Sequence, residues 1–227
     1  MSRFFETVWL VTRKDLIIEV RSREILYTTL FFAVSCVLVF AFGFVEEGRA
    51  LEGGASGILW IAIAFSGTLA LGRTFERERY SETLRALMLA PAPRAAIYVG
   101  KLLGIVALLV AAEALIVPLV SVLFQANLVA QLPLLAPLLL LGTVGFAGVG
   151  TLFAAMLVRA RTRDVLLPIL LYPITVPVMI AGVRGTSALL QEPAETALAI
   201  MWIGILASFD VVFVTLALWT FEPLMTE

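Results

Sequence analysis

Six apolar runs dominate this sequence: Ile25 to Val45, Ala55 to Gly72, Leu102 to Phe124, Leu132 to Val158, Val165 to Val183 and Ala197 to Phe221. Together they make up more than half of the chain and hold only two acidic or basic side chains, Glu113 and Asp210. Each run is long enough to cross about 30 Å of hydrocarbon, which takes roughly 17 to 25 helical residues. Helices are the expected form, because lipid offers the backbone no hydrogen-bond partner and unbroken apolar runs contradict the alternation of a membrane barrel. The fold class is therefore an all-α integral membrane protein, a bundle of six transmembrane helices forming one domain over residues 1–227.

Composition agrees: 61% of the residues are hydrophobic and 15% charged, too few charges to dissolve the surface of a soluble domain. There is no His and one Cys, Cys36, which excludes an intrachain disulfide, a Cys/His zinc site and any catalytic triad that needs an imidazole. Cys36 sits mid-span in a phenylalanine-rich run and reads as a buried apolar residue. A net charge of −1 gives no global positive field, so no nucleic-acid partner is expected.

The position of the charges sets the orientation. With a cytoplasmic N-terminus, all but Arg49 and Arg184 of the 16 basic residues fall on the cytoplasmic side, as the positive-inside bias requires. Both termini are then cytoplasmic, and the outer loops are acidic, with Glu46, Glu47 and Glu52 in the first and Glu192 and Glu195 in the last. No signal peptide is expected, since the first apolar run follows 24 mixed, charged residues and is long enough to span. Four of the five connections are too short for a folded domain. Only residues 1–24 and 73–101 can carry organised structure outside the membrane.

In the first of these, Phe5, Val8, Trp9 and Leu16, with Thr12 between them, recur at helical spacing, while Glu6, Arg13, Asp15 and Glu19 lie largely elsewhere around the wheel. The spacing predicts an amphipathic helix in the interface plane, either a passive anchor or an elbow that braces the bundle. In the second, a charged run from Arg73 to Arg79 leads to Ser81, a plausible N-cap, with Glu82 where a carboxylate favours a helix start. Leu84, Leu87 and Met88 follow as an apolar stripe, and Pro91 and Pro93 close the segment. So short a helix needs a surface to pack against, either lipid headgroups or a groove on a partner protein. The Arg/Glu mix around the stripe suits protein better. Gly100 and Lys101 lack the earlier glycine and following hydroxyl of a phosphate-binding loop, so any ATP chemistry belongs to another chain.

Within the membrane, Glu113 and Asp210 stand near mid-bilayer with no basic residue in any span to pair with them. They are expected to be protonated or bonded to hydroxyls such as Ser66, Thr143 or Thr151, in a structural role or on a transport path. Gly142, Gly145, Gly148 and Gly150, and Gly100 with Gly104, mark faces for close helix contact within the chain or between copies. Pro118, Pro168, Pro173 and Pro177 should kink or break their helices.

These residues, in this order, resemble the haem exporter protein B (CcmB) family. The resemblance rests on Lys14, Asp15 and Leu16 with Glu19; on Gly57 to Trp60 running to Arg73; and on Glu78, Glu82, Thr83, Leu84, Leu87, Leu89, Pro91 and then Lys101. It continues with Glu113, Pro118, the glycine run from Leu140, the basic turn Arg159 to Arg163, the following proline-rich span, and Phe209 with Asp210. The loop pattern is shared with the wider ABC-2 permease group. The resemblance implies a permease of the bacterial cytoplasmic (inner) membrane, paired with a second copy, with an ATP-binding subunit (CcmA-like) that holds ATP and Mg, and with a haem-handling membrane protein (CcmC-like). It also implies that the Ser81 to Ala90 helix is a coupling helix seated in the ATPase. The chain itself would be non-catalytic and bind no metal or cofactor, with haem as candidate cargo of the complex. The absence of His favours release of a haem-loaded periplasmic chaperone over direct haem handling. Three other readings fit the residues: an ABC-2 permease for a drug, lipid or polysaccharide, a proton-coupled carrier using Glu113 and Asp210, and a structural subunit of a membrane enzyme.

Overall fold

A computed structural model describes residues 2–43, 45–46, 49–50, 54–80, 92–160 and 162–224. Seven helices carry the described chain: α1 (Ser2–Ser22), α2 (Glu24–Gly43), α3 (Gly54–Tyr80), α4 (Arg94–Leu123), α5 (Leu132–Met156), α6 (Arg163–Leu189) and α7 (Thr196–Leu224). A two-residue antiparallel pair, Val45–Glu46 with Arg49–Ala50, lies between α2 and α3. Six of the helices, α2 to α7, are long and apolar enough to cross a membrane, and α1 is the additional amphipathic one.

The helices outrun the apolar runs that seeded them. Lipid enforces helix only where water is absent, but the hydrogen-bond ladder propagates into water at little cost once nucleated. Thus α3 continues through Arg73 and Arg77 to Tyr80, α4 starts at Arg94 directly after Pro93, and α6 runs on through Arg184 to Leu189. The stretch between α3 and α4 narrows to residues 81–93. The Ser81 to Ala90 segment, together with Pro91, lies outside the described residues.

Neither α4 nor α6 breaks at its prolines, contrary to one of the two outcomes expected of them. Each proline leaves one carbonyl four residues back without a backbone donor, and the turns on either side continue. Beside Pro173 and Pro177, the Thr175 hydroxyl donates to the Leu171 carbonyl at 2.9 Å.

Helix α5 is the axle of the bundle, packed against α3, α4, α6 and α7. Its glycines face four side chains on three neighbouring helices. A Cβ at Gly142 would stand 2.2 Å from the Trp60 ring of α3, at Gly145 2.6 Å from Asp210 Oδ1 of α7, at Gly148 3.5 Å from the Tyr98 hydroxyl of α4, and at Gly150 2.3 Å from Leu71 of α3. These glycines therefore serve contacts within the chain. The outer helices differ: 67% of the apolar window of α3 is buried, against 17% for α7.

The N-terminal helix departs from the expected single apolar face. Val11 and Thr12 are buried against α4, whereas Phe5 and Trp9 are each 63% exposed and Leu16 and Val20 are exposed with them. Val8 belongs to the packed side, since its carbonyl and the Val11 side chain meet Gly100. The wheel thus has two apolar faces, one for the bundle and one left open.

Candidate functional site

The best-developed polar arrangement lies where α1 crosses the ends of α3 and α4 that flank residues 81–93. Gly100 and Gly104 let α1 approach, for a Cβ at Gly100 would lie 2.7 Å from Val11 Cβ, and one at Gly104 3.4 Å from Asp15 Cβ. The Thr12 hydroxyl donates to the Gly100 carbonyl at 3.1 Å. On this seat Lys101, buried to 2% side-chain exposure, donates to Asp15 Oδ2 at 2.7 Å, a charge-assisted contact, and Lys14 approaches Asp15 Oδ1 at 3.0 Å. One turn further along α1, Glu19 accepts from Arg77 of α3 at 3.3 Å and from the Leu26 backbone N–H at 2.7 Å. The second bond caps the start of α2, where the helix dipole favours a carboxylate. Arg23 makes the elbow between α1 and α2 with φ 54, a left-handed conformation uncommon outside glycine.

At this same end Tyr98 and Phe221 meet at 5.3 Å between ring centroids, so the last turns of α7 join the group. Arg163, 4% exposed, donates from α6 to the Gly72 carbonyl of α3 at 3.3 Å and to Asp164 at 3.4 Å. One end of the bundle thus gathers α1, the roots of the 81–93 segment, the 157–163 turn and the C-terminal turn of α7.

The two intramembrane acids are not brought together. Glu113 of α4 accepts a hydrogen bond from the Thr143 hydroxyl of α5. Asp210 of α7 packs against Gly145, and both its oxygens are buried without a hydrogen-bond partner among the described residues. Thr143 and Gly145 are two residues apart on one helix, about 200° around its axis, so α5 stands between the two carboxyls. Of the other hydroxyls expected to serve them, Ser66 donates to Ala62 of its own helix, and Thr151 has no hydrogen-bond partner among the described residues. Pro118 shares with Glu113 the wall of a cavity of about 560 Å³ between α4 and α5. Pro173 and Pro177 lie within α6. Glu78 falls in the last turn of α3. Ser81, Glu82, Thr83, Leu84, Leu87, Met88 and Pro91 lie outside the described residues. Cys36, expected to be buried, is half-buried and borders an outward groove with Phe32 and Phe65. Among the described residues no group of three or more Cys, Asp or Glu side chains could hold a metal ion.

Sequence reasoning gave no role to Trp60. Its indole lies between Gly142 of α5 and Gly182 of α6, and Nε1 donates to Thr186 Oγ1 at 2.9 Å. Nor did it pair Asp15 and Glu19 with Lys101 and Arg77. A signal existed: Lys101 at the head of an apolar run needs a counter-charge, and at about 100° per residue Asp15 and Glu19 fall on the face of Val8 and Thr12, contrary to the expectation that they lie elsewhere around the wheel.

Comparison with known proteins gives a consistent answer. The chain matches the family described as "CcmB protein" over residues 6–223. It is 34% identical to "Heme exporter protein B" of Rhodobacter capsulatus over 71% of this chain and 75% of that protein. It is also 34% identical to the protein of the same name from Paracoccus denitrificans, over 68% and 70%, and 29% identical to that of Escherichia coli K12, over 85% and 88%. A match along nearly the whole chain, on a bundle of six membrane helices with one amphipathic helix at its end, places this protein in the CcmB family.

Proposed function

We propose that the chain is the membrane permease subunit of an ATP-binding-cassette complex for cytochrome c maturation. In this reading it turns ATP hydrolysis by a partner subunit into haem export or into release of a haem-loaded periplasmic chaperone. The relatives' name, "Heme exporter protein B", supports haem as the cargo class. The observation that carries a coupling role is the clasp: Asp15–Lys101 and Glu19–Arg77 tie α1 to both helices from which the 81–93 segment departs.

The mechanism follows from that geometry. The Ser81 to Ala90 segment is the coupling helix, with Leu84, Leu87 and Met88 seated in an apolar groove of a CcmA-like ATPase that holds ATP and Mg. Closure of an ATPase pair under two copies of this chain displaces the segment. Because α1, α3 and α4 are pinned at its roots, they move together, and Trp60 passes the motion from α3 to α5 and α6. The chain supplies no bond-making step; it supplies differential contacts in two states. A CcmC-like protein handles haem beside it, and both termini face the cytoplasm.

The combined variant Leu84→Asp with Leu87→Asp places charge in the docking groove and should abolish co-purification of the ATP-binding subunit without affecting membrane insertion. Undiminished co-purification would overturn the docking assignment.

A further inference from the structure

Beneath α1, among α1, α2, α3 and α4, lies a cavity of about 360 Å³ with both charged and apolar lining. Its charged lining is Asp15, Glu19 and Arg23, spread along α1, with Arg77 of α3. Ile105, Leu108 and Ala111 of α4 and Leu26 of α2 form an apolar wall. Gly104 to Ala111 spans about 10 Å of helix, roughly a third of the hydrocarbon thickness. A charged α1 side and an apolar trough of that depth within one cavity suit an amphiphile.

The charges lining the cavity do not cancel. Asp15 is engaged by Lys14 and Lys101, and Glu19 by Arg77 and the Leu26 N–H. Among the described residues Arg23 donates hydrogen bonds to the Val20 carbonyl at 3.4 Å and the Tyr27 hydroxyl at 3.3 Å. Its guanidinium therefore has no carboxylate partner among the described residues and leaves a net positive charge at the rim. The cavity also opens towards lipid. The exposed row Phe5, Trp9, Leu16 and Val20 runs along the open face of α1, and Leu16 and Val20 themselves line the cavity. A molecule lying in the bilayer beside α1 reaches the trough without crossing water.

We propose that this cavity holds one anionic phospholipid of the leaflet in which α1 lies, with its phosphate on Arg23 and an acyl chain between α2 and α4. A guanidinium matches phosphate oxygens in a fork geometry, and a basic side chain at an anionic membrane surface adds to the attraction. The acyl chain fills the trough and props α1 against the bundle next to the clasp.

The test uses the purified full-length chain in mild detergent, titrated with phosphatidylglycerol or phosphatidylcholine of the same acyl composition and read by native mass spectrometry. One phosphatidylglycerol per chain should be retained, and phosphatidylcholine should bind about fivefold more weakly, the value of one basic group at the surface. Arg23→Gln should erase that preference, whereas Ala111→Trp, at an exposed position on the trough wall, should reduce retention of both lipids. Inorganic phosphate should not compete, because the trough contributes nothing to its binding. Equal binding of the two lipids, or phosphatidylglycerol binding unchanged in both variants, would overturn the proposal. So would displacement of phosphatidylglycerol by equimolar hemin, which would assign the cavity to cargo, or loss of lipid on dimerisation, which would assign it to a second copy.

Discussion

The Trp60 junction and the α1 clasp hold helices together by opposite means. At the junction one large indole fills the space left by Gly142 and Gly182, with a single hydrogen bond to Thr186. At the clasp small residues bring α1 close, but oppositely charged pairs fix its register. The contrast follows the surroundings. In lipid no hydrophobic force separates one apolar helix from another, so close shape complementarity must provide the attraction. Where the chain leaves the membrane, charges can be retained and can select one docking register, although a partly exposed pair adds little stability. The interior is therefore held by fit, and the clasp by charge.

Substitutions should separate these roles. Trp60→Ala is expected to have the largest effect, about 3 to 5 kcal/mol, because a fully buried aromatic is removed from between two glycine faces that cannot close over the gap. Loss of folded protein in a thermal unfolding assay would check it. Asp15→Asn comes next, near the lower end of the range for stranding one member of a buried pair, about 3 kcal/mol, since Asp15 is itself 12% exposed. The double replacement Asp15→Leu with Lys101→Met sharpens the comparison. It should recover most of that stability by removing both charges, yet uncouple ATPase stimulation if register is the function of the pair.

Gly142→Ala is expected to cost about 1 to 3 kcal/mol, since its Cβ would lie 2.2 Å from the Trp60 ring and the packed indole must move. A second change that shortens the ring, Trp60→Leu, should partly rescue it, which a measurement of unfolding midpoints would show. The smallest effect belongs to Arg77→Gln, under about 1 kcal/mol because the Arg77 side chain is 30% exposed. Its signature is a loss of salt sensitivity in the attachment of α1, readable by protease protection of the N-terminal helix at low and high ionic strength.

Much of this arrangement was legible in the residues. The six apolar runs predict six spans, and the glycine run of α5 predicts close helix contacts, because length, hydropathy and side-chain size act locally. The N-terminal stretch reads as amphipathic for the same reason. Its two-faced character did not, since a helical wheel does not distinguish an apolar face that meets lipid from one that meets α4. The acids Glu113 and Asp210 were identifiable as costly residues, but the placement of α5 between them was not.

The sequence alone determined that the chain is a helical membrane bundle with an amphipathic N-terminal stretch and without an imidazole or a pair of thiols, because those properties depend on residue types and spacing. Only the tertiary structure decided that Lys101 faces Asp15, that Trp60 occupies the gap between two glycines, and that Asp210 meets a glycine backbone instead of a hydroxyl. These are pairings between residues 65 to 122 positions apart, fixed by how whole helices pack, and no local pattern carries that information.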